Sequence, residues 1–153
     1  MKKIIFGAFA ITAIVACKKE PTIPAPTPEK EMSMEVPVTH ECYLGILKND
    51  TIEMHLSVKG TAVTEGKLSY KFFEKDKNDG TFTGQINNDT LFADYTFMSE
   101  GQPSVREVAF LKKGNVYIEG YGDVEEKAGK TVFKDRKKLS FDTKTVLTKT
   151  DCK

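Results

Sequence analysis

The segment Ile52-Glu53-Met54-His55-Leu56-Ser57-Val58 alternates apolar and polar side chains without a break. Successive side chains of a strand point to opposite faces. The pattern therefore puts Ile52, Met54, Leu56 and Val58 on one face and Glu53, His55 and Ser57 on the other. The same period of two recurs down the chain. Leu68, Tyr70 and Phe72 alternate with Lys67, Ser69 and Lys71, and Phe82, Gly84 and Ile86 with Thr81, Thr83 and Gln85. Leu91, Ala93, Tyr95 and Phe97 form the next inward set, followed by Val108 and Phe110. Val116, Ile118 and Gly120 make a shorter strand, and Val132-Phe133, Leu139-Phe141 and Val146-Leu147 finish the chain. No segment carries a helical stripe. Asn49-Asp50, Asn78-Asp79-Gly80, Asn87-Asn88-Asp89 and Lys113-Gly114-Asn115 are turn signals between these runs. Short strands with tight turns predict an all-β antiparallel meander, folded as a barrel or a sandwich. Gly45, Gly60, Gly66, Gly84 and Gly120 sit in or beside strands, where glycine relieves crowding as a small barrel coils.

The alternation does not begin at the N-terminus. Met1-Lys2-Lys3 leads into an apolar or small run from Ile4 to Ala16. That run is shorter than the ~20 residues a helix needs to span hydrocarbon, and it suits the apolar core of a signal. Ile14-Val15-Ala16-Cys17 fits the pattern [LVI]-[ASTVI]-[GAS]-C and resembles a bacterial lipoprotein signal peptide. The large Ile14, three residues before Cys17, suits that signal better than a plain secretory cut. The resemblance implies that residues 1–16 are removed. Cys17 then carries a thioether-linked diacylglycerol and an amide-linked chain of the palmitate type. Two or more chains give stable anchoring, so the expected location is the cell envelope, on the outer membrane. Lys18-Lys19-Glu20 leaves open whether the periplasmic or the surface face is used.

Five of the six prolines fall between residues 17 and 38. Proline locks φ and supplies no amide donor, so this stretch reads as a disordered tether extending at about 3.1 Å per residue. The folding unit is expected over residues 39–153, a length that supports one core. The chain has no tryptophan, so that core must draw on Phe, Tyr, Leu, Ile, Val and Met. The 23 basic side chains, less Lys2 and Lys3, leave 21 against 22 acidic ones. With no basic stripe and alternating signs, nucleic acid is not an expected partner.

With Cys17 assigned to lipid, Cys42 and Cys152 remain, bracketing the domain almost end to end. Disulfides persist in compartments outside the inner membrane. The simplest reading is one bridge tying the first strand to the last; two free thiols are the alternative. Such a bridge favours a closed or nearly closed barrel of about eight strands. Neither cysteine has a CxxC partner, and His40 and His55 are the only histidines. No metal or cofactor is expected from these spacings.

From Glu41 onward the chain carries Lys75-Asp76-Lys77-Asn78-Asp79-Gly80, Asp94-Tyr95-Thr96-Phe97, Ser99-Glu100-Gly101-Gln102-Pro103-Ser104, Glu119-Gly120-Tyr121-Gly122 and Leu147-Thr148-Lys149-Thr150-Asp151-Cys152. These segments resemble a family of small lipoproteins of Bacteroidota, of flavobacterial type. The resemblance implies a lineage and a location and brings no activity with it.

The densest polar cluster is the hairpin from Asp94 to Glu107, with Tyr95, Glu100 and Arg106 inside it. One reading pairs Arg106 with Glu100 or Asp94 across the strands. Another gives Arg106 a small anionic or carbohydrate-like ligand, with Tyr95 or Tyr117 stacking. Glycoside hydrolysis would need two of Glu100, Glu107 and Glu119 about 5 to 9.5 Å apart in a cleft, which a small filled barrel rarely offers. Asp76, Asn78, Asp79 and Gly80 echo a calcium loop but lack its closing glutamate. No catalytic residue is assigned. The leading expectation is a non-enzymatic lipoprotein that binds a small ligand, glycan or envelope protein. A structural or assembly lipoprotein and a glycan-acting enzyme are the alternatives.

Overall fold

The computed structural model describes residues 35–75, 77–142 and 144–152. The lipidation residue Cys17 and nearly all of the tether lie outside them.

Eight strands close into a barrel. They are β1 (Val38–Leu47), β2 (Asp50–Lys59), β3 (Ala62–Lys71), β4 (Asn78–Asn87), β5 (Thr90–Ser99), β6 (Gln102–Lys113), β7 (Val116–Gly120) and, last in the chain, β10 (Val146–Thr150). Each pairs antiparallel with its sequence neighbour from β1 to β7. β10 then inserts between β7 and β1 to complete the circle. The expected all-β meander is thus the observed fold, and it is fully closed. An eight-stranded barrel is just wide enough for side chains to fill it.

The period-two pattern explains what fills it. Tyr43, Ile52, Met54, Leu56, Val63, Leu68, Tyr70, Phe82, Leu91, Ala93, Tyr95, Val108, Phe110, Tyr117 and Leu147 form one buried cluster. Each fully buried large aliphatic or aromatic side chain contributes about 1.5–3 kcal/mol relative to exposure. Glycine makes room where rings crowd. A Cβ on Gly66 would overlap the Phe82 ring, and one on Gly80 would overlap the Thr96 carbonyl oxygen and crowd Tyr95.

Cys42 and Cys152 form the disulfide, with Cα atoms 5.2 Å apart and a sequence separation of 110. Cys42 pairs with Thr150 in the β1–β10 ladder, so the bridge lies at the seam where the barrel closes.

The chain between β7 and β10 departs from the expected run of strands. β8 (Val124–Lys127) and β9 (Lys130–Phe133) form a hairpin outside the barrel, and β9 touches β6 in one parallel pairing, Arg106 with Thr131. Leu139-Phe141, expected as a strand, makes only the single bridge between Ser140 and Tyr121. The physical reason is local. Asp135 accepts a hydrogen bond from the Lys137 amide and caps a 3-10 turn over Arg136–Lys138. Phe141 then packs its ring against Gly120 in place of joining a ladder.

The antiparallel order defines two ends. The proximal end holds the start of β1 and the β2–β3, β4–β5 and β6–β7 turns. The distal end holds the β1–β2 turn, the β3–β4 loop, the β5–β6 turn and both junctions of the β8–β9 excursion.

Candidate functional site

Charged residues occupy inward positions only near the barrel's two mouths. At the proximal mouth Glu41 shares the inward parity of Tyr43. It accepts hydrogen bonds from Tyr43 Oη at 2.9 Å, Lys112 Nζ at 3.1 Å and Lys149 Nζ at 2.9 Å. β1 and β6 are not ladder neighbours, so the Lys112 contact crosses the opening. Burial pulls the Glu41 carboxyl upward, but the bonds from Lys149, Tyr43 and Lys112 outweigh it and leave its pKa lowered. This mouth is plugged by a satisfied ionic cluster.

The distal mouth differs. Arg106 shares the inward parity of Val108 and Phe110. Its guanidinium lies over the rings of Tyr70, Tyr95 and Phe97, at 5.2, 5.4 and 5.3 Å from their centroids. Tyr95 and Phe97 stack with centroids 5.0 Å apart, and Tyr95 Oη donates to the Leu68 or Asn78 carbonyl oxygen. Glu119 faces the same mouth. It accepts from Tyr70 Oη at 2.7 Å and from Tyr121 Oη at 2.8 Å. Burial raises the Glu119 pKa, against the opposing pull of the two hydroxyls and of the Arg106 charge. Burial also pushes Tyr95 and Tyr121 up to about 12. These phenols therefore remain protonated donors at neutral pH.

Arg106 enters none of the ion pairs among the described residues, and its Nε is enclosed with no acceptor. The expected pair with Glu100 or Asp94 does not form. Asp94 and Glu107 oppose each other on the outer face of the β5–β6 ladder, and each takes a cation from the excursion. Lys130 pairs with Asp94, and Arg136 pairs with Glu107. The Phe133 amide also donates to Glu107 at 2.9 Å, and Arg136 covers the Phe92 ring. Glu100 sits in the β5–β6 turn with φ 51°, exposed. One parity step separates Asp94 and Glu107 from Arg106, so the barrel wall divides the cluster that the linear sequence suggested.

Tyr95 lies beneath Arg106 at the mouth. Tyr117 does not: it packs in the core against Tyr43 and Phe110. Glu107 faces outward and Glu119 inward, and Glu100 is in a turn, so no two of them share a cleft. His40 bonds Ser57 at 2.9 Å, and His55 lies 3.5 Å from the Cys42 sulfur, both on the outer surface. Asp79 pairs with Lys77 at 2.7 Å. Sequence reasoning missed Tyr70 and Phe97 as ring partners of Arg106, and the Glu119–Tyr70–Tyr121 hydrogen bonds at the same mouth. The parity of Arg106 with Val108 and Phe110 was the available signal.

Large apolar side chains stand exposed at this end of the barrel, interspersed with the exposed charges of Lys48, Glu74, Lys75 and Glu100. Ile46 and Leu47 end β1 before the β1–β2 turn, Phe72 and Phe73 lead into the β3–β4 loop, Met98 precedes the β5–β6 turn, and Tyr121 follows β7. All are exposed, with Ile46 69% and Met98 58% accessible. The Phe73 amide donates to Asp50 Oδ1 at 2.7 Å, which ties two of these loops together.

No family model, no curated protein and no solved structure matches the chain.

Proposed function

We propose that the protein is a lipid-anchored envelope lipoprotein that binds an envelope protein non-enzymatically through its distal rim. The anchor rests on Ile14-Val15-Ala16-Cys17 and on the resemblance to small lipoproteins of Bacteroidota. The binding role rests on one observation. Six large apolar side chains stand exposed at the end opposite the start of β1, the end where the Arg106 guanidinium bonds no counter-charge among the described residues. Soluble surfaces scatter such residues singly, whereas a cluster marks an interaction site. Aromatic residues and arginine are also the side chains that carry most binding energy at protein interfaces.

The filled interior favours a partner at the rim over a small ligand inside the barrel. The separation of Glu100, Glu107 and Glu119 gives glycan hydrolysis no support.

Metabolic labelling with an alkyne fatty acid tests the anchor: Cys17→Ser should abolish label and membrane retention. For the binding role, proteins co-purified from native membranes by the parent and by Phe73→Asp/Met98→Asp should be compared. Loss of a discrete partner from the double variant, with the thermal transition unchanged, supports the rim. Identical co-purification from both contradicts it.

A further inference from the structure

We propose that Arg106 is a carboxylate-recognition residue, and that the distal mouth takes a carboxylate carried on an apolar peptide segment of the partner. The inference rests on the rim-binding reading and deepens it.

The Arg106 guanidinium has three aromatic faces to hold it. Ring faces attract a cation but accept none of its hydrogen bonds in the way an oxygen does. Its Nε is enclosed without an acceptor. The two Nη groups are not among the enclosed unpartnered atoms, and Arg106 as a whole is only partly buried, so its tip keeps access to an incoming group.

Glu119, the carboxylate facing the same mouth, bonds tyrosines and forms no ion pair with Arg106. Both Glu119 oxygens accept from tyrosine hydroxyls. At the proximal mouth, by contrast, Glu41 answers both Lys112 and Lys149, and what is left without a partner beside that cluster is the neutral Tyr117 hydroxyl, not a charge. Among the described residues the distal mouth holds a planar fork of donors, pre-oriented by stacking and bonded to no acceptor. That fork matches a carboxylate in geometry and charge. The surrounding Leu47, Phe72 and Tyr121 suit apolar side chains beside the carboxylate, which a strongly hydrated inorganic anion would not supply.

The test uses the full chain and three acetylated, fluorescent Leu/Phe-rich pentapeptides. One ends in a free carboxylate, one is its C-terminal amide, and one is amidated with an internal glutamate. The proposal expects a carboxylate-bearing peptide to bind about tenfold or more tighter than the plain amide, the scale of one hydrogen bond to a charged group. Preference between the free-acid and glutamate peptides identifies whether a chain terminus or a side chain is read. Arg106→Gln should erase the discrimination, and Arg106→Lys should restore part of it, because it keeps the charge without the fork. Equal binding of acid and amide, or no binding of any peptide, overturns the proposal. The acid-against-amide comparison needs no variant to fold. Should partner capture survive Arg106→Gln yet fail in Phe73→Asp/Met98→Asp, the rim reading stands and the carboxylate reading falls.

Discussion

The Tyr70 hydroxyl donates a 2.7 Å hydrogen bond to Oε1 of Glu119, 49 residues further along the chain. β3 and β7 are not ladder neighbours, so this bond spans the distal mouth and latches opposite walls. A hydrogen bond to a charged group is worth about 1.5–3 kcal/mol, and removing one partner leaves the other buried and unpaired. Tyr70→Phe should lower stability by about that amount in urea titration, with an unchanged m-value.

The carboxylates at the two mouths should respond to pH in opposite senses. Burial raises Glu119 above 4.5, so the folded state holds its proton more tightly than the unfolded chain. Its stabilising contribution is full below the unfolded value and is lost as pH rises through the folded value. Glu41 is lowered from 4.5. Its contribution is present above the unfolded value and is lost as pH falls through the folded one. Stability curves should therefore show Glu119→Gln gaining on the parent as pH rises from the acid range towards neutral. Glu41→Gln should lose to the parent near neutral pH and recover in acid.

The Cys42–Cys152 bridge closes nearly the whole domain into one loop. For a loop of about 100 residues the chain-entropy model gives ~4.7 kcal/mol, and measured native bridges span ~2–5 kcal/mol. Cys152→Ser should lower the calorimetric transition temperature accordingly while keeping the strand signature in far-UV circular dichroism. Mass spectrometry under non-reducing conditions should find neither Cys42 nor Cys152 open to alkylation in the parent.

Two glycines of the β4–β5–β6 region should resist alanine for different reasons, which a signal from Tyr95 separates. A methyl on Gly80 meets backbone at Thr96 and the Tyr95 ring that carries Arg106. Overpacking of this kind costs about 1–3 kcal/mol or more. Gly101 has φ 78° but nothing within 4 Å of the added atom. Gly101→Ala should cost only the left-handed backbone penalty, about 1–2 kcal/mol. Gly80→Ala should also move Tyr95, seen as a changed near-UV signal, and Gly101→Ala should not.

The fold was legible because burial follows parity. Met54, Leu56, Leu68, Tyr70, Leu91 and Tyr95 fill the barrel as their alternation requires. Cys42 and Cys152 meet where closure demands. The β8–β9 excursion was less legible, since Val132-Phe133 and Leu139-Phe141 carry short apolar runs that strands and packed loops share. The site was half legible. Arg106 and Tyr95 were identified, but proximity in sequence grouped them with Asp94 and Glu107, which the wall places on its other side. Tyr70, Glu119 and Tyr121 come from other strands, and only closure of the barrel brings them to the same mouth.

Site-specific photocross-linking in native membranes tests the central claim most directly. A benzophenone amino acid at positions 73 and 98 reports on the distal rim, and the same probe at positions 88 and 113 reports on the proximal turns. The account predicts a discrete adduct of the same mass from both distal positions and none of that mass from the proximal pair. The same adduct from both ends, or none from the distal positions, would contradict it.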